Sequence, residues 1–98
     1  MAKRESNTSS LEEAIDRLLK AYRLSDKMIE LDIIKAWPEV MGDMIAGKTI
    51  DIYVKNKVLY VKLDSSTLRE ELSYGKSKLI KNINEHIKQE FLKDVVLK

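Results

Sequence analysis

Apolar positions recur at helical spacing from early in the chain. Leu11, Ala14, Ile15, Leu18, Leu19 and Tyr22 fall on one helix face, with Asp16, Arg17 and Lys20 opposite. Ser9 and Ser10 precede Glu12 and Glu13, so either serine can open this helix as an S-x-x-E capping box. Ser25 or Asp26 can then cap a second helix. Met28, Ile29, Leu31, Ile33, Ile34, Trp37, Val40 and Met41 load it so heavily that it should be buried on more than one side. Pro38 interrupts this pattern. A proline inside a helix lacks one donor and clashes with the preceding turn, which predicts a kink or restart near Trp37 with Pro38 in the new first turn. Gly42 or Gly47 ends the helical region.

The period then changes from 3.6 to two. Ile50, Ile52 and Val54 alternate with Asp51, Tyr53 and Lys55. After Lys55-Asn56-Lys57, Leu59, Val61 and Leu63 alternate with Val58, Tyr60 and Lys62. Two such runs around a short Asn-containing loop predict a β-hairpin. Asp64, Ser65 or Ser66 can cap the next helix, with Glu70 and Glu71 in its first turns. Leu68, Leu72, Leu79, Ile80, Ile83 and Ile87 carry a helical face to about Glu90, and Ser73-Tyr74-Gly75 is a place for it to break in two. Leu92, Val95, Val96 and Leu97 form a short last strand. A strand–helix–strand crossover favours a parallel last pairing. The predicted fold class is α+β: helices on one face of a three-stranded mixed sheet, the other face partly open.

Length allows one domain, assigned to residues 10–98, with the polar residues 1–9 as a disordered arm lacking the apolar core of a secretory signal. The chain has no cysteine, which excludes disulfides, thiolate metal sites and cysteine nucleophiles, and suits a reducing, cytoplasmic compartment. No apolar run approaches the roughly 18 residues of a membrane span. The net charge of +2 hides segregation. Residues 1–35 balance seven positive against seven negative side chains. Residues 48–62 set Lys48, Lys55, Lys57 and Lys62 against Asp51 alone, and residues 75–98 set six lysines against Glu85, Glu90 and Asp94. Segregated charge of this kind attracts a polyanion or, more plainly, keeps a small domain soluble.

Catalytic chemistry is hard to assemble from these residues. The single histidine, His86, has no acidic or cysteine neighbour at ligand spacing and reads as a solvated helix residue. No nucleophile elbow, phosphate loop, dinucleotide fingerprint or zinc-protease motif occurs. The chain is therefore expected not to be an enzyme and to need no metal or cofactor. Binding features are easier to name. Tyr53 and Tyr60 share one parity with Lys55 and Lys62, on the face of the hairpin away from the core. Rings among lysines on an open sheet suit the stacking of single-stranded bases; two tyrosines paired across strands is the alternative. Lys55, Lys57 and Lys62 on the hairpin and Lys76, Lys78 and Lys81 on the following helix are candidate phosphate contacts. Trp37, among Ile33, Ile34 and Val40, is either a core residue or a partner-facing anchor.

Trp37-Pro38-Glu39-Val40-Met41-Gly42, then Ile45-Ala46 and Thr49, resembles the W-x-x-V-x-G…I-A…T signature of the DciA-like family. Val58 to Ser66 is similar to that family's strand running into paired serines. Leu72, then Leu79 and Ile83-Asn84, resembles its closing pattern, and Leu92 to Lys98 its final strand. The resemblance covers roughly residues 10–98. It implies a type II KH-like fold and a bacterial loader of the replicative helicase, binding that helicase and single-stranded DNA during DNA replication. A KH-like RNA-binding module associated with ribosomes is the alternative. Many relatives carry a Trp where this chain has Leu68, so Leu68 joins Trp37 as a candidate partner contact. The KH backbone clamp is a GxxG loop; the matching place here is Ser73-Tyr74-Gly75-Lys76, with one glycine. Some relatives continue into a long C-terminal tail. No tail function is carried over to this chain, which ends at its last strand.

Overall fold

The structure is a computed structural model that describes residues 2–98, with side chains described from Ser10 onward. The element order is α1 (Ala2–Met41), α2 (Asp43–Gly47), β1 (Thr49–Lys55), β2 (Val58–Leu63), α3 (Ser66–Ser73), α4 (Lys76–His86) and β3 (Asp94–Leu97). β1 pairs antiparallel with β2, and β3 pairs parallel with β2, giving one sheet in the order β1-β2-β3. This is the α+β arrangement expected from the periodicity. The backbone of α1 runs back to Ala2, into the stretch read as an arm, whose side chains lie outside the described residues.

The two helices expected before the hairpin are one. α1 passes through Ser25 and Asp26 without a break and carries Pro38 inside its last turn. A cap residue favours a helix start but does not forbid a helix interior when apolar spacing continues on both sides. Pro38 removes the donor for a single carbonyl, and only three helical residues follow it. The restart comes instead at Gly42, whose φ of 87° is open to glycine and costly for other residues. α1 is also buried on one side only. Ile33, Ala36 and Trp37 are buried, whereas Met28 and Leu31 are 68% and 57% exposed.

The core is a single cluster. Ile33 and Trp37 of α1, Leu59, Val61 and Leu63 of β2, Leu79 and Ile83 of α4, and Phe91, Leu92 and Val95 pack together. All the helices contributing to it lie on the sheet face that carries Ile52, Leu59, Val61 and Val95. The hairpin turn places Asn56 and Lys57 at φ 52° and 64°, the two positive values that a type I′ turn requires. At the other end of β1 the register slips between Thr49 and Asp51, so Ile50 is an extra residue and turns outward, 58% exposed. Alternation alone had placed it inward with Ile52 and Val54.

Ser65 caps α3 by accepting from the Leu68 amide at 3.2 Å, as one of the three expected caps. The last helix breaks at Tyr74-Gly75, then ends at His86 rather than near Glu90. Its end is a Schellman motif: Gln89 N–H donates to Asn84 O and Lys88 N–H to Glu85 O, with Lys88 at φ 61°. Asn84 then organises the approach to β3. Its Oδ1 accepts from the Phe91 and Leu92 amides at 3.3 and 3.0 Å, and its Nδ2 donates to Leu92 O at 3.2 Å.

Val61 is fully buried on the central strand. Val61→Asp should cost several kcal/mol in desolvation, comparable to the whole stability of a small domain; the expected outcome in a thermal melt is loss of the cooperative transition. Lys88 bears the opposite expectation. A left-handed non-glycine residue costs roughly 1–2 kcal/mol, part of which returns as glycine's larger unfolded entropy. Lys88→Gly should therefore raise the unfolding free energy by about 1 kcal/mol, read from the denaturation midpoint.

Candidate nucleic-acid interface

Strand pleating divides the sheet into two chemically distinct faces. The face away from the helices carries Asp51, Tyr53 and Lys55 on β1, Val58, Tyr60 and Lys62 on β2, and Asp94 and Val96 on β3. The parallel ladder continues past β3: Lys98 N–H donates to Val61 O at 2.8 Å and Leu63 N–H to Lys98 O at 2.9 Å. That puts Lys98 beside Lys62 on the open face.

Tyr53 and Tyr60 are directly opposed in the register and stack on each other, ring centroids 4.8 Å apart and planes 8° from parallel. Their cross-strand pairing and their presentation on an open face are both present. Tyr53, on the edge strand, is 41% exposed; Tyr60 is half-buried. The Lys98 ammonium lies 5.3 Å from the Tyr60 ring centre and 5.9 Å from that of Tyr53, within cation–π range of both. Lys55 and Lys62 are exposed on the same face. A shallow depression lined by Asp51, Tyr53, Tyr60, Lys62 and Lys98 results. Lys98 is the residue that sequence reasoning missed. Only the parallel register of the last strand brings it to the tyrosines.

The other candidates are dispersed. Lys57 sits in the turn with its ammonium 5.5 Å from the Phe91 ring centre, and its carbonyl accepts from Lys93 N–H. It belongs to the end of the sheet where β3 begins. Lys76, Lys78 and Lys81 are on α4, which packs through Leu79 and Ile83 against the opposite sheet face. The two lysine groups therefore do not converge: a three-stranded sheet stands between α4 and the tyrosines. A single strand lying on Tyr53 and Tyr60 does not reach Lys78 or Lys81 without passing round an edge.

Trp37 is corrected from partner contact to core. It is 2% exposed, and its indole Nε1–H donates to Thr49 Oγ1 at 2.9 Å, while that hydroxyl donates to Ile45 O at 2.9 Å. Leu68 is half-buried against the core cluster from α3, so it retains some surface for a partner. His86 does have an acidic neighbour, supplied by the fold: its Nε2 lies 2.6 Å from Glu39 Oε2 of α1. Both side chains are largely in water, and the pair ties the end of α4 to α1. Among the described residues no three His, Asp or Glu side chains gather to hold a metal, and no helix is long and apolar enough to cross a membrane.

A family model described as Dna[CI] antecedent, DciA, matches residues 10–97. No curated protein and no solved structure matches the chain. The residues that carry the family pattern are architectural here. Trp37, Ile45 and Thr49 form one hydrogen-bonded unit, Gly42 holds the positive-φ turn, Ser65 caps α3 and Asn84 anchors the approach to β3. None of them is on the tyrosine face.

The Trp37–Thr49 bond gives a direct test. Thr49→Val keeps the shape but leaves a buried indole N–H without its acceptor, a loss of about 1–3 kcal/mol. A second test concerns Leu68. Because it is half-buried, Leu68→Ala should cost about 1–2 kcal/mol, below the usual 2–5 for a fully buried leucine. Urea denaturation of each variant measures both.

Proposed function

The chain belongs to the DciA family, and on that premise we propose that its open sheet face binds single-stranded DNA while a separate surface, including Leu68 on α3, engages the replicative helicase. The family is one of helicase loaders in DNA replication, and it acts by binding rather than by catalysis. In this reading any ATP hydrolysis belongs to the helicase, and the protein works in the cytoplasm where the chromosome is copied.

The observation that carries the DNA reading is the Tyr53–Tyr60 stack on the open face, flanked by Lys55, Lys62 and Lys98. An aromatic ring offers a platform to any base, at roughly 1–3 kcal/mol per stacked base. Lysines alongside contact phosphates without reading sequence. Asp51 and Asp94 on the same face limit the positive potential, which favours weak, readily reversed binding. A loader needs that, since DNA must pass from it into the helicase. The RNA-binding alternative lacks its recognition element, because the α3–α4 connection is Tyr74-Gly75 rather than a GxxG loop.

Fluorescence anisotropy of a labelled oligonucleotide at several salt concentrations tests the face. Lys55→Glu with Lys62→Glu should weaken binding to all single strands alike and flatten the salt dependence by about 0.7 in log–log slope per lost phosphate contact. Tyr53→Ala should weaken binding with little change of slope. Lys78→Glu with Lys81→Glu, behind the sheet, should change neither. Affinity capture from cells should recover the replicative helicase, and Leu68→Glu should reduce that recovery while leaving DNA binding intact. Recovery of ribosomal proteins and RNA instead would overturn the reading.

A further inference from the structure

α1 carries one apolar stripe in two different environments. In its C-terminal half, Ile29, Ile33, Ala36, Trp37 and Val40 face the sheet and are buried or half-buried. Eighteen residues earlier, five full turns at 3.6 residues per turn, stand Leu11, Ile15, Leu18, Leu19 and Tyr22. They occupy the same angular positions on the same helix. Here nothing among the described residues covers them: they are 62%, 50%, 67%, 51% and 67% exposed. The helix projects beyond the core, and with it the molecule is 68 Å long and only 22 and 20 Å across. A core-facing pattern thus continues past the end of the core.

The charges beside this stripe say what covers it. Glu12 and Arg23 border it on the same flank, three turns apart. The intrahelical ion pairs Glu13–Arg17 and Asp16–Lys20 lie away from it and use neither residue. Along the segment, acid precedes base: Glu12, Glu13 and Asp16 come before Arg17, Lys20, Arg23 and Lys27. A segment polarised in this way complements itself when reversed. An antiparallel copy sets Leu11 opposite Tyr22 and Ile15 opposite Leu18, and brings Glu12 of each chain near Arg23 of the other, twice by symmetry. The helix dipoles also oppose. A parallel copy would set that flank against Ala14, Ala21 and Ser25, with no charge to meet it.

We propose that the N-terminal half of α1 pairs antiparallel with the same segment of a second copy of this chain, forming a two-fold dimer around the Leu11–Tyr22 stripe. The interface is isologous, since one patch serves both copies. The stripe spans about 20 Å of helix, so the buried area falls at or below the roughly 1,200 Å² that marks the small end of specific interfaces. An interface of that size suits a reversible dimer. Pairing also shelters a projecting helix segment that has no tertiary partner in the single chain, and such segments are marginal in water.

Sedimentation equilibrium of the full chain across the micromolar range tests this. The expected result is a concentration-dependent dimer. Leu18→Glu should shift it to monomer while leaving the thermal unfolding of the domain unchanged, because Leu18 is already 67% exposed in the single chain. Glu12→Arg should weaken the dimer by about tenfold through two lost pairs, and adding Arg23→Glu should restore it. A parent that stays monomeric throughout overturns the proposal, as does a dimer indifferent to Leu18→Glu. If the double charge reversal fails to restore pairing, the antiparallel arrangement falls. If the parent is monomeric and Leu18→Glu instead abolishes retention on the replicative helicase, the stripe belongs to that partner.

Discussion

The indole of Trp37 holds together the two halves of this fold. Its ring fills the core between α1 and the sheet, and its one polar atom must find an acceptor there, since an unpaired buried N–H costs about 1–3 kcal/mol. Thr49 Oγ1 supplies that acceptor, and its own O–H donates to Ile45 O. One chain of hydrogen bonds thereby joins the end of α1, the short α2 and the first residue of β1. With Thr49 fixed, β1 enters the sheet at a set register, and the slip at Ile50 absorbs the mismatch between the entry point and the alternation that follows. The positive φ of Gly42 is the turn that lets the chain come back to the indole. Residues in which the sequence resembles the family are thus the parts of a joint.

That joint fixes which sheet face is spent on the core. Every helix with core residues lies on the side of Leu59, Val61 and Val95, and the opposite side is left to two tyrosines, three lysines, two aspartates and two valines. A three-stranded sheet covered on one side has little depth for an enclosed pocket, but it offers a flat surface with aromatic rings already held in place. The Tyr53–Tyr60 stack costs nothing to organise when a ligand arrives, because cross-strand geometry has set it.

α1 adds length that the core does not require. Its buried half needs only the turns from Ile29 to Val40, yet the same spacing of apolar residues persists for five turns before them. Leucines and a tyrosine more than half exposed in a row are unusual for a lone surface helix, which normally turns polar residues outward. In the proposed reading the extension is a surface held out from the core, so that pairing between chains uses a different part of the molecule from the Tyr53–Tyr60 pair.

By itself the sequence determined whatever depends on near neighbours. The hairpin between Ile50 and Leu63, a cap among Asp64, Ser65 and Ser66, a break at Ser73-Tyr74-Gly75 and the parallel last strand all follow from local period, turn chemistry and the handedness of crossovers. The core residues Val61, Leu79 and Ile83 were legible for the same reason. Tertiary structure decided the rest. Ser25 and Asp26 are good helix starts, but a helix with apolar anchors on both sides runs through them. Ile50 has the parity of a core residue, and only its register against Leu63 turns it out. Trp37 stayed open between core and partner until a hydroxyl twelve residues away accepted the hydrogen bond of its indole N–H. Which lysines share a face was likewise undecidable along the chain: Lys98 joins the tyrosines and Lys78 and Lys81 do not, because side-chain charge says nothing about which layer of the fold an element enters. Layer assignment is a property of long-range packing, and no local pattern encodes it.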